Sequence, residues 1–299
     1  MKRFFFIIAV IGLAIWSTKL IENFYPRTVF GTIANTDYEG EIKSFGDSVT
    51  IRTIPAVTTF SYAKGQKITY KAEESAKVEL LINKGRGFAF PVNAVDKKQA
   101  DINFVDAWSK DAGQRIKIAV DTEILAAVYA DVATLNKGIV AGQTSGMYNI
   151  GTTAASIPIT KANVIEYISY CEQVLTEQNC PDDGRWFCMP GWMKNCLDMS
   201  DLKDSSMTGR ESTLPNGRIG SLLNFDILVS NCYTAVSDTY NCYHVIFGHK
   251  SALTFAAQMD FVETLKNPDD YGDLIRGLMI YGYEVVKPTA MGELYCRRG

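Results

Sequence analysis

Residues 102–132 read INFVDAWSKDAGQRIKIAVDTEILAAVYADV, and the reading of this stretch decides the fold. Ile102, Val105, Trp108, Ala112, Ile116, Val120, Ile124, Val128 and Val132 recur at steps of three or four. That spacing lays one apolar stripe along one helix face. Asn93 upstream is a capping residue type with Asp96 three positions on, and Asn136-Lys137-Gly138 is a stop signal. The pattern predicts a helix over 93–135. At 1.5 Å rise per residue, roughly 40 residues span about 60 Å, whereas globular helices average about 11–12 residues. A helix of this length belongs to an extended molecule, and Gly113 is its candidate flex point.

Upstream, residues 48–92 read as β-structure. Val49, Ile51 and Thr53 alternate with polar neighbours, and Ile68, Tyr70, Val78, Leu80 and Ile82 resume the alternation beyond a turn at Ala63-Lys64-Gly65-Gln66. This is a long hairpin with too few large apolar residues for a core. A two-stranded ribbon is marginal in isolation, so it leans on its own domain or on a neighbouring subunit. Lys84-Gly85-Arg86-Gly87 reads as a turn between strand and helix. Residues 15–37 read as an arm, with a short helix near Ile15–Ile21 and a bend at Pro26.

Downstream, residues 138–159 form a connector rich in Gly, Thr, Ser and Ala. A second helix follows, with Thr160 as its cap and Val164, Ile165, Ile168 and Leu175 on or near one face. Gly184–Pro190 reads as a buried strand, Gly191 to about Met199 as a short helix, and 200–217 as an exposed polar loop. Phe225–Ser230 and Tyr243–Gly248 are strands, Ser251–Gln258 a short helix, and Gly277–Tyr295 a β-rich run.

The 299 residues are 47% hydrophobic and 21% charged with formal net charge −3, which supplies a sizeable core and excludes a disordered chain. The basic excess of a dedicated nucleic-acid binder is missing. The seven cysteines include no CxxC pair, so they read as reduced core thiols rather than a zinc site or a disulfide framework. Neither His244 nor His249 has a companion at metal-ligand spacing, and no G-x-S-x-G elbow occurs. Asp182-Asp183 and Asp269-Asp270 lack a calcium loop and read as polar turns. The sequence carries no catalytic constellation, cofactor motif or small-molecule site. Lys2-Arg3 followed by the apolar run Phe4–Trp16 has the form of a signal peptide, although the run is short for a bilayer span and Ile15-Trp16-Ser17 is a poor cleavage site. A true start just downstream is the other reading of that run.

Several stretches together carry a family resemblance. Ile15-Trp16 with Leu20 is similar to an opening "I-W…L". Asn35-Thr36-Asp37-Tyr38-Glu39-Gly40-Glu41-Ile42, Gly46-Asp47-Ser48-Val49-Thr50-Ile51, and Val95-Asp96, Gln99-Ala100 and Ala119-Val120-Asp121 follow in order. Near the end come Tyr271-Gly272-Asp273-Leu274-Ile275-Arg276-Gly277-Leu278 and Tyr281-Gly282-Tyr283-Glu284-Val285. The chain resembles the major capsid (coat) proteins of tailed bacteriophages, with the Hong-Kong-97-like capsid fold. The apolar start departs from the family's short polar one.

That resemblance implies an α+β fold with an N-terminal arm at 1–37 and an extended β-hairpin loop at 38–92. A peripheral domain with its spine helix would occupy 93–159 and a mixed α/β axial domain 160–270, with strands returning to the peripheral domain at 271–299. It implies a non-enzymatic subunit that self-assembles through hexamers and pentamers into an icosahedral shell around double-stranded DNA. Such a subunit assembles in the host bacterial cytoplasm and resides in the virion. Scaffolding, portal and decoration proteins are the implied partners, with weak non-specific contact to the packaged DNA. No cofactor, metal or small-molecule substrate is implied. The expected assembly contacts are Trp16 in the arm and Tyr62, Lys64, Gln66 and Tyr70 on the ribbon. The alternatives are an encapsulin-like nanocompartment shell and an exported binding or surface protein.

Overall fold

The computed structural model describes residues 25–38, 48–55, 59–67, 70, 77–93, 104–200, 220–268 and 270–299. Side chains at 104–107 and 258–261 are not among them. The predicted helix at 15–21, the residue Trp16 and nearly all of the predicted loop at 200–217 lie outside the described residues.

The long helix is present as Phe104–Ala127. It is followed by single 3-10 turns at Val128–Asp131 and Thr134–Asn136. The stop therefore comes earlier than Asn136-Lys137-Gly138, and the described helix of 24 residues spans about 36 Å. Asn93 is no cap: it ends a ten-residue strand. The apolar stripe is real from Ile116 onward, where Ile116, Val120, Ile124 and Val128 are buried. Trp108, at the near end, remains 43% exposed and packs edge-on against Phe90.

Among the described residues the strands form three sheets. Strands β1 (Ser48–Arg52) and β2 (Lys77–Leu81) form an antiparallel ribbon, with Ser48 opposite Leu81 and Arg52 opposite Lys77. Strands β3 (Lys84–Asn93), β10 (Leu253–Lys266) and β11 (Gly272–Val285) form an antiparallel sheet in the order β10-β11-β3. Lys84–Gly87 thus belongs to a strand rather than a turn, paired with Leu278–Tyr281. Ser251–Gln258 is not a helix either, since Leu253–Gln258 opens β10 against Val285–Ile280. Its Ala and Leu favour a helix locally, but pairing across the sheet overrides that preference.

The third sheet has seven strands. It runs β4 (Ile157–Ile159), β12 (Met291–Arg298), β9 (Asn241–His249), β5 (Arg185–Met189), β7 (Phe225–Val229) and β6 (Ser221–Leu222), with β8 (Val236–Ser237) on β9. β5 is buried at every position, as expected of a central strand covered on both faces. Helix Val164–Glu177 buries Val164, Ile168, Cys171, Val174 and Leu175. Its start is organised by Asn163 rather than Thr160: Asn163 Oδ1 accepts from the Thr160 N–H at 2.7 Å and lies 3.2 Å from Thr160 Oγ1. Helix Gly191–Asp198 follows. One large core joins this sheet, its helices and the far half of the long helix. A second, smaller core lies under the ribbon. Among the described residues no helix is long and apolar enough to cross a membrane.

Candidate assembly surface

The ribbon is anchored at one end and open at the other. In β1 the burial alternates, with Val49 and Ile51 inward, as a strand with one covered face requires. These two join Leu80, Ile82, Ala256 and Ile280 in the small core, so the ribbon's base rests on the three-stranded sheet of its own chain. The approach is close enough to need a glycine: a Cβ on Gly282 would stand 2.1 Å from the Leu81 carbonyl oxygen.

Beyond the base, Ile54, Phe60, Tyr62 and Tyr70 are exposed, Tyr70 by 89%. The predicted turn is present. Gln66 N–H donates to the Ala63 carbonyl at 3.0 Å, Gln66 Oε1 accepts from Ala63 N–H at 3.1 Å, and Gly65 takes φ +89°, a conformation glycine adopts without strain. Tyr62, Lys64, Gln66 and Tyr70 are all exposed on this stretch. Gly113 sits inside the continuous helix, and a Cβ there would meet nothing within 4 Å.

Two carboxylates on the long helix tie the parts together, and sequence reading missed both. Asp121 is fully buried. Its Oδ1 accepts from the N–H groups of Val29 (3.1 Å) and Phe30 (3.0 Å), and its Oδ2 lies 3.2 Å from Ser230 Oγ. Ser230 Oγ also lies 3.1 Å from the Arg27 carbonyl oxygen. One side chain thus joins the N-terminal segment, the long helix and the end of β7. Burial pushes the Asp121 carboxyl up, against the pull of the two backbone N–H groups. Phe30 packs at a tilt against Phe255, with ring centroids 4.9 Å apart.

Glu123 stands on the sheet side of the helix. It takes bonds from Lys84 Nζ (2.6 Å), Arg86 Nη2 (3.0 Å) and Tyr281 Oη (2.6 Å). Burial would raise this carboxyl, but the bonds from Lys84, Tyr281 and Arg86 outweigh it and hold it at about 2. The signal available in the sequence was an acidic residue next in chain to the buried stripe positions Val120 and Ile124.

The far end of the helix docks on the large sheet. Tyr129 stacks on His244 at 3.6 Å between ring centroids, and His244 Nδ1 bonds the buried Glu293. His244 is therefore a packed core residue. All seven cysteines are buried and unbridged. Burial pushes the Cys188 thiol up to about 12 and Cys171 well above its usual range, which leaves them poor nucleophiles. Asp182 pairs with Arg185 at 2.8 Å, and Asp270 accepts from Asn93 Nδ2 at 3.0 Å. Among the described residues no group of three or more His, Cys, Asp or Glu is placed to hold a metal ion.

No family model and no curated protein matches the sequence. Solved structures do match, end to end. A chain from Mycobacterium phage Che8 is 26% identical, with TM-score 0.71 over 95% of this chain and 97% of that one. The capsid structure of Cyanophage P-SCSP1u gives TM-score 0.72 at 15% identity, covering 97% and 94%. The capsid of a native GTA particle gives 0.65 at 11% identity, covering 97% and 98%. The fold is that of phage capsid proteins.

In this capsid fold the job of the polar nodes is mechanical. Asp121 and Glu123 fix the long helix to the elements on either side of it.

Proposed function

We propose that this chain is the major capsid protein of a tailed phage, closing with its copies into an icosahedral shell around a double-stranded DNA genome. The observation that carries the reading is the end-to-end correspondence with shell subunits, in which no large part of either chain is left over. In this reading residues 1–37 are the arm and 38–92 the extended loop. Residues 93–159 hold the spine helix of the peripheral domain, 160–270 form the axial domain, and 271–299 return to the peripheral domain. The Hong-Kong-97-like arrangement agrees with a ribbon that is anchored at its base and open at its tip.

Tyr62, Lys64, Gln66 and Tyr70, with Trp16 of the arm, are the assembly contacts. Many moderate contacts per subunit close a shell through multivalency rather than through one strong interface. Gly113 is the point where the spine helix flexes as hexamers and pentamers adjust. Scaffolding, portal and decoration proteins are the partners, the DNA contact is weak and non-specific, and assembly takes place in the host cytoplasm before the protein resides in the virion. The test is size exclusion and negative-stain electron microscopy of the expressed full chain. Capsomers or closed particles tens of nanometres across are expected. A monomer at every concentration, with and without a scaffolding protein, overturns the reading.

A further inference from the structure

We infer that the loop at 138–150 is a preformed knob, with Val140 and Met147 as its anchors, that seats on a second copy of this chain. The inference rests on the shell reading and adds a contact outside the ribbon and arm. Its first support is rigidity. Ala141 and Tyr148 exchange backbone hydrogen bonds at 2.9 and 3.0 Å, Gly142 N–H donates to the Leu135 carbonyl at 2.8 Å, and Ile150 N–H donates to Gly138 at 2.9 Å. Glu177, from helix Val164–Glu177, accepts from the N–H groups of Thr144 (2.8 Å) and Ser145 (3.0 Å) and so closes the tip. Gly138, Gly142 and Gly146 all take positive φ. At Gly142 a Cβ would stand 2.5 Å from Ser145 Oγ and 2.8 Å from Glu177 Oε2, so that turn accepts no side chain.

The second support is what this rigid loop displays. Ala141 is buried, and Tyr148 packs against the core and Tyr170. Their chain neighbours Val140 and Met147 are instead exposed. Val140 is 62% and Met147 79% exposed, and Ile139 and Leu135 beside them are exposed as well. Scattered exposed apolar residues need no explanation, but four of them within one braced stretch of chain point to an interaction site. Rigidity here lowers the ordering cost of binding.

The occupant follows from the fold. A subunit that matches shell proteins over its whole length is surrounded by copies of itself, and head-to-tail rings need two unlike patches on each subunit. Methionine suits such a place because its flexible, polarizable chain adapts to slightly different seats, as copies in pentamers and hexamers require.

The test uses the full chain in three forms: wild type, the double variant V140D/M147D, and M147L. Each is assayed by thermal melting and by shell yield in sedimentation and electron microscopy. The double variant is expected to melt with the wild type and to give at least ten-fold fewer shells, while M147L assembles normally. Shells from the double variant at wild-type yield overturn the knob and leave the shell reading intact. A lowered melting temperature in the double variant also overturns it, because those side chains would then be packing within their own chain. A wild type that melts cooperatively yet never assembles overturns the shell reading itself.

Discussion

Adding one methyl group at Gly282 tests how the ribbon is held. The Cβ of Gly282→Ala would lie 2.1 Å from the Leu81 carbonyl oxygen and 3.0 Å from Ile82 Cδ1, where ordinary contact begins near 3.4 Å. The end of β2 must therefore move by about 1.3 Å, the difference between the ordinary and the available distance. Two responses compete. Lifting the ribbon off exposes Val49, Ile51, Leu80 and Ile82, and at about 1.5–3 kcal/mol per side chain that costs roughly 6–12 kcal/mol. Staying docked with local strain costs about 1–3 kcal/mol, the usual range for overpacking. Strain is the cheaper response, so the variant folds with its ribbon docked but tilted. At about 2–4 °C per kcal/mol for a chain of this order, its melting temperature falls by about 2–12 °C. A tilt at the base swings the exposed tip through a larger arc, so shell yield falls more than stability does. Differential scanning calorimetry and particle counts read the two effects. A Gly282→Ala protein with unchanged melting temperature and normal shells would refute the ribbon crossing at Leu81.

Other outcomes follow from the polar nodes and the core. Removing the Asp121 carboxylate (Asp121→Ala) strands the Val29 and Phe30 N–H groups in a buried site, costs about 2–5 kcal/mol, and opens the N-terminal segment to limited proteolysis. Glu123 is held at about 2 against an ordinary 4.5, so its contribution is full above pH 4.5 and is lost as pH falls towards 2. After allowance for its partly exposed partners that contribution is about 1–2 kcal/mol, and Glu123→Gln should flatten the acid limb of a stability-against-pH curve by that amount. Gly113→Ala meets open space in a continuous helix; it should stabilise the folded chain by about 0.5–1 kcal/mol in thermal melts, and any change it makes in shell size reports on flexing. The seven buried thiols should resist iodoacetamide in the native protein and all react in denaturant, which mass spectrometry counts directly.

The elements with strong local patterns were legible before the structure. The long helix, the ribbon legs around Val49–Ile51 and Val78–Leu80, and strands β5, β7 and β9 all show the right apolar spacing. Errors arose where long-range pairing decides the outcome. Lys84–Gly87 carries two glycines and reads as a turn, yet it pairs with β11, and Gly87 lets the strands approach closely, since a Cβ there would stand 3.2 Å from the Gly277 carbonyl oxygen. Leu253–Gln258 is helix-like in composition and becomes a strand only because β11 lies beside it. The ribbon's need for support was readable from its shortage of apolar residues. That its base finds this support in its own chain was not, because Ala256 and Ile280 are some 200 residues away. Asp121 and Glu123 were hidden for the same reason: their partners come from segments far apart in sequence. The knob at 138–150 shows in sequence only as a glycine-rich connector, since its bracing by Glu177 depends on the folded helix.

The most direct test of the whole account is a cryo-electron microscopy reconstruction of particles assembled from the full chain. The account predicts closed icosahedral shells in which each ribbon, docked on its own sheet through Val49, Ile51, Leu80 and Ile82, carries Tyr62 and Tyr70 onto a neighbouring copy. Particles that never close, or shells in which those tyrosines point into solvent, would contradict it.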